Sequence, residues 1–206
     1  MNGCGCGDDI KFEGLSDGYR KALWAVIAIN GTMFCVEMVA GFGASSQALK
    51  ADALDFLGDT ATYPLSLFVI GQPLIWRARA ALFKGLSLGA MGLWVIGSTV
   101  YSVFVLKTPT AEVMGIVGVL ALTANLISVG LLLKYRDGDA NVRSVWLCSR
   151  NDAIGNVAVI VAAGGVFASG TAWPDLLVAG VMASLFLNSS VQIIRQARLE
   201  LQGIRS

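Results

Sequence analysis

The chain has 206 residues, 55% of them hydrophobic and 14% charged, with a mean hydropathy of +0.68. Soluble domains carry roughly 25% charged residues, so a soluble enzyme or any large soluble domain is excluded. The net charge of +1 gives no pull toward nucleic acid. What remains is an all-α polytopic membrane protein, because only helices satisfy every backbone donor and acceptor across spans this apolar.

In chain order, apolar windows fall at 22–42, 49–70, 82–106, 112–133, 142–167 and 175–194. Each crosses about 30 Å of hydrocarbon as a helix. The connections are short, with no repeat, low-complexity tract or linker. The expected organisation is an N-terminal segment at 1–21, one domain of six transmembrane helices at 22–194 and a short tail at 195–206. The first segment carries Asp8, Asp9, Glu13 and Asp17 and lacks an apolar core, so it is not expected to be a cleavable signal peptide.

Six spans sort the cationic residues sharply. Lys11, Arg20, Lys21, Arg77, Arg79, Lys84, Lys134, Arg136, Arg143, Arg195, Arg198 and Arg205 fall on one side, and only Lys50 and Lys107 on the other. Arg150 lies within the fifth window. Loops rich in Lys and Arg stay cytoplasmic, so both termini are expected in the cytoplasm, and five or seven spans would scramble this asymmetry.

Two spacings carry the chemistry. Asp55-Phe-Leu-Gly-Asp59 in the second window and Cys148-Ser-Arg-Asn-Asp152 in the fifth each stack two metal-capable groups on one helix face. An ionisable group at bilayer depth costs roughly 3 kcal/mol or more, so it normally faces a bundle interior. Three carboxylates and one thiol suffice to close a four-coordinate site around a divalent metal. The second and fifth helices run antiparallel, which levels Asp55 with Asp152 and Asp59 with Cys148 near the midplane. This much negative charge does not persist in low dielectric without a cation, so protons and metal should compete for the site. The bland alternative is a set of interhelical hydrogen bonds made by protonated aspartates.

These segments resemble the cation diffusion facilitators. In that family the second helix carries a stretch like 51–59 and the fifth one like 148–160, and the family's ligand positions match Asp55, Asp59, Cys148 and Asp152. Trp173-Pro174-Asp175 and the stretch 189–195 also look like family segments. The resemblance implies six transmembrane helices and a transporter, not an enzyme, that exports a divalent metal from the cytoplasm in exchange for protons. The metal ion is then the substrate, with no prosthetic group, and the expected location is a bacterial inner (plasma) membrane.

Three departures from the family pattern shape this expectation. The chain has no histidine, where many zinc members use one at the positions of Asp55 and Cys148. The implied ligand set is one thiolate with three carboxylates: sulfur favours zinc or cadmium, while the carboxylates keep manganese and iron(II) in play. Only 195–206 follow the last window, so the cytoplasmic metal-binding domain common in the family is expected to be missing. Any homodimer would then form through the transmembrane helices. The connection at 135–141 also lacks a histidine-rich loop. The competing reading is a membrane-embedded metal sensor or scaffold that binds metal without moving it.

Accessory candidates are weaker. Cys4 and Cys6, followed by Asp8 and Asp9, offer two thiols for capturing a soft metal, though a lone CxC more commonly opens a disordered start. Asp52 lies one turn before Asp55, either supporting the ligands or near the outer mouth, and Glu37 either relays protons or pairs with a polar neighbour. Asp175 has equal claims as a cap of the sixth helix. Asn125, Thr123 and Ser128 suit hydrogen bonds between helices. Cys35 reads as a small buried packing residue. Gly85 and Gly89 have the small-xxx-small spacing of a close helix contact, read here as a dimer seam.

Overall fold

The computed structural model describes residues 16–68, 73–105, 107–136 and 140–203, and among them no strand occurs. The helices are α1 (Asp17–Gly43), α2 (Gln47–Phe68), α3 (Leu74–Val105), α4 (Ala111–Leu132), α5 (Ala140–Ser169) and α6 (Trp173–Gly203), with a short 3-10 turn at Leu133–Tyr135. Cys4 and Cys6 lie outside the described residues.

Two helices outrun their apolar windows furthest. α3 begins at Leu74 instead of 82, and α6 continues to Gly203 instead of ending at 194. The added turns carry exposed Arg77, Arg79, Arg195 and Arg198 among alanines and leucines. Helix propensity is high in such stretches although hydropathy is low, so hydropathy misses them.

Five helices, α1, α3, α4, α5 and α6, are long and apolar enough to cross a membrane. α2 has 22 residues, about 33 Å of helix, but carries Lys50, Asp52, Asp55 and Asp59. Its position explains why these charges are tolerated. α2 packs against α1, α3, α5 and α6, and residues 46–53 are all buried, so protein and not lipid surrounds much of it.

Three connections meet at one end of the bundle. Between α1 and α2 the chain reverses through Ser45 at φ 57°, and the Ser46 N–H donates to the Gly41 carbonyl at 3.0 Å. The Thr110 N–H donates to the Ala44 carbonyl at 3.1 Å, and the Thr108 hydroxyl to the Gly170 carbonyl at 3.5 Å. At the other end Tyr19 meets Tyr135 edge-on, with ring centroids 5.4 Å apart. Arg20, Lys21, Lys134 and Arg136 surround that second end and are exposed.

α1, α2, α4 and α5 form one group, and α3 with α6 forms a pair docked on α2 and α5. Close approach in the pair depends on missing side chains. A Cβ on Gly85 would lie 2.8 Å from Ile194 Cγ1, and one on Gly89 would lie 2.7 Å from Ser190 Oγ. The Ser190 hydroxyl donates to the Gly85 carbonyl at 2.6 Å. The glycine spacing expected to form a dimer seam thus serves the α3–α6 contact within the chain, where the missing side chains leave room for Ile193, Ile194 and Ser190 of α6. Outward, α3 exposes Leu86, Leu93, Ile96, Val100 and Phe104, and only 11% of its apolar window is buried.

Candidate metal site

α2 and α5 meet near their middles and bring the two spaced pairs together. Asp55, Cys148 and Asp152 line one cavity of about 360 Å³, whose other walls include Lys84, Ser87 and Met91 of α3 and Met182, Phe186 and Ser189 of α6. All three candidate ligands are half-buried. Asp152 lies within interaction range of Asp55, Asp59 and Cys148. Asp59 and Asp55 both lie within interaction range of Cys148. The antiparallel levelling of the pairs is therefore what brings them together.

Asp59 is placed differently from its three partners. It is 9% exposed and is held from the α1 side. The Tyr63 hydroxyl donates a short hydrogen bond to Asp59 Oδ2, and Asn30 Nδ2 on α1 donates to the same oxygen at 3.4 Å. Both bonds fall on the same oxygen, Oδ2. Pro64 follows Tyr63 and removes the backbone donor that the Thr60 carbonyl would otherwise receive, a local softening one turn from Asp59. Among the described residues no three His, Cys, Asp or Glu side chains stand close enough together to hold a metal ion as they are. Three ligand candidates edge an open cavity, and the fourth is engaged beside it.

The accessory acids form a separate buried network. Glu37 is fully buried beside Asp52, which is 1% exposed. Asp52 accepts from Asn156 Nδ2 at 2.6 Å, and Asn156 Oδ1 accepts from Asn125 Nδ2 at 2.8 Å. The chain Asp52–Asn156–Asn125 ties α2, α5 and α4 together one turn from the cavity. Asn125 thus makes the interhelical bond expected of it, whereas Ser128 and Thr123 donate to Ala124 and Val119 in their own helix.

Several expectations change. Asp175 does not cap its own helix. It accepts from the Ser46 hydroxyl at 2.6 Å and from the Gln47 and Ala48 N–H groups at 2.7 and 3.0 Å, capping the start of α2 across the bundle. Two unpaired N–H donors and the positive end of the α2 dipole draw the carboxylate there. Cys35 is exposed on α1, not buried in packing, because its neighbours Met33 and Glu37 take the inward face. Arg150 points away from the ligands, as its two-residue offset predicts, and lies 5.5 Å from the Trp146 ring. Lys84, counted with the cationic collar, instead lines the cavity.

Sequence reading passed over Lys84, Tyr63, Asn30 and Asn156. Tyr63 and Asn156 lie four residues beyond Asp59 and Asp152, so the same i,i+4 rule that found the ligands points to them. Asn30 and Lys84 belong to other helices, and no spacing within one helix reveals them.

The description "cation efflux transmembrane domain" is that of a family model matching residues 77–202, more than half of the chain. The chain is 28% identical over 205 residues to the metal cation efflux system protein CzcD of Cupriavidus metallidurans, covering 91% of this chain and 63% of that protein. It is 27% identical over 195 residues to the zinc transporter ZitB of Escherichia coli, covering 88% and 62%. A cadmium, cobalt and zinc/H(+)-K(+) antiporter of Bacillus subtilis is 24% identical over 194 residues, covering 86% and 61%. The chain thus spans about three fifths of the length of these relatives. Apolar membrane-length helices, the lining of one cavity by Asp55, Cys148 and Asp152 across α2 and α5, and the match over 77–202 converge, and the chain belongs to the cation efflux family, the cation diffusion facilitators.

Proposed function

We propose that this protein carries a divalent metal ion, zinc first and cadmium, manganese or iron(II) after it, out of the cytoplasm in exchange for protons. The observation that carries this reading is the convergence of Asp55, Cys148 and Asp152 on one cavity at mid-bundle, with Asp59 within reach of Asp152. The relatives named for zinc, cadmium and cobalt support the substrate class. In the proposed cycle the metal draws Asp55, Asp59, Cys148 and Asp152 into one coordination shell. Only the deprotonated groups ligate, so binding releases protons, and returning protons help expel the metal.

All six helices span the membrane in this reading, α2 included, with both termini in the cytoplasm. The clustering of exposed Arg20, Lys21, Arg77, Arg79, Lys134, Arg136, Arg195 and Arg198 on α1, α3, α4–α5 and α6 ends supports that orientation. The location is the inner (plasma) membrane of a bacterium. A homodimer through lipid-facing helices belongs to the same proposal.

The test is proton-gradient-driven uptake of zinc, cadmium and manganese into proteoliposomes, with Asp152→Asn reconstituted at equal density. Flux that collapses with the gradient and with the substitution supports a coupled exchanger. Tight, Asp152-dependent binding without flux would replace it with a sensor or scaffold.

A further inference from the structure

Lys84 has no part in the metal cycle just described, and its position asks for one. At 1.5 Å per residue it stands about 15 Å into α3 from Leu74, beyond the exposed arginines Arg77 and Arg79 that mark the helix end. A lysine at that depth is costly in lipid and is tolerated where it faces protein or a water-filled cavity. Lys84 is half-buried and faces the cavity edged by Asp55, Cys148 and Asp152. Its charge acts on Asp55, Asp59 and Cys148, three of the four candidate ligands.

Resting on the reading of these four residues as the metal site, we propose that the Lys84 ammonium is a tethered cation, standing among the ligands while metal is away and displaced when a divalent ion enters. The argument is one of charge. Three carboxylates and a thiolate without a counter-ion hold a divalent cation too tightly for rapid release, and a carrier must let its cargo go. A fixed positive charge in the same cavity competes with the incoming metal and lowers its affinity, and it keeps the emptied carboxylates from facing a low dielectric alone. Lysine suits the task better than arginine. Its compact ammonium on a flexible four-carbon stem moves in and out, whereas a guanidinium fork locks bidentately onto a carboxylate. Lys84 is thus an affinity-setting residue on α3, a helix that contributes no ligand in this reading.

The experiment measures zinc affinity of the purified chain, by competition with a chromophoric chelator, for the unaltered protein, Lys84→Met, Lys84→Arg and Asp152→Asn. Lys84→Met, which keeps the length of the stem and removes the charge, should bind zinc at least about tenfold more tightly, or 1.4 kcal/mol. In proteoliposomes the same variant should show a lower KM and a lower kcat, the signature of slow release. Lys84→Arg, which keeps the charge and locks onto a carboxylate, should bind zinc no more tightly than the unaltered protein. Unchanged or weaker binding in Lys84→Met, with Asp152→Asn still abolishing binding, overturns the role of the lysine alone. Zinc binding indifferent to Asp152→Asn overturns the metal site and this inference with it. Should Lys84→Met fail to fold, labelling of Lys84 by a small amine-selective reagent in the unaltered protein decides. Zinc should raise the labelling as the ammonium leaves the ligands, and labelling indifferent to zinc overturns the displacement.

Discussion

Replacing Tyr63 with phenylalanine isolates one atom of the site. Tyr63 is 1% exposed, and its ring packs in the cluster with Leu23, Leu132 and Val145, so the substitution preserves packing and removes only the hydroxyl. That hydroxyl donates to Asp59 Oδ2, whose other partner is Asn30 at 3.4 Å. A hydrogen bond to a charged group contributes about 1.5–3 kcal/mol. Both bonds hold Asp59, which lies within reach of Asp152, so in the proposed site the loss should fall on metal binding. Groups that orient a ligand typically change metal affinity by about 10–100-fold. The two routes agree, since each tenfold is about 1.4 kcal/mol. Competition titration of zinc against a chelator is the assay, with thermal unfolding in detergent as the check on folding. Affinity unchanged or tightened in a well-folded Tyr63→Phe protein would refute the claim that Tyr63 presents Asp59 to the metal.

Further expectations follow from the same geometry. Gly85→Val places side-chain atoms against Ile194 and should destabilise the α3–α6 pair by about 1–3 kcal/mol or more in thermal unfolding. Gly97→Ala, on the same helix with nothing within 4 Å, should be neutral or gain up to about 1 kcal/mol, and equal losses at both sites would contradict the seam. Asp175→Asn weakens three contacts at the start of α2 and should cost about 1–3 kcal/mol; a neutral result would deny the cross-bundle cap. Zinc at a hundred times its Kd should stabilise the unaltered protein by about 2.7 kcal/mol, a gain that chelation removes. Asp55→Asn should lose both that gain and transport while still inserting in the membrane, and a retained gain would remove Asp55 from the site.

Composition and spacing alone determined the membrane class and picked out the two pairs, because bilayer thickness and the 3.6-residue repeat act on each helix by itself. Asp55 and Asp59, or Cys148 and Asp152, announce themselves through an i,i+4 offset and the cost of burying them. Helix ends were less legible: the Arg- and Ala-rich turns of α3 and α6 fold as helix without being apolar. Which helices touch was decided only by the tertiary structure. Asp175 caps α2 from more than a hundred residues away, Asn30 reaches Asp59 from α1, and Lys84 enters the cavity from α3. α2 carries Asp52, Asp55 and Asp59 because neighbouring helices surround it, so those carboxylates face protein and cavity. Periodicity within one helix says which face a side chain shares, but packing between helices chooses its partners, and charge acts through space across them.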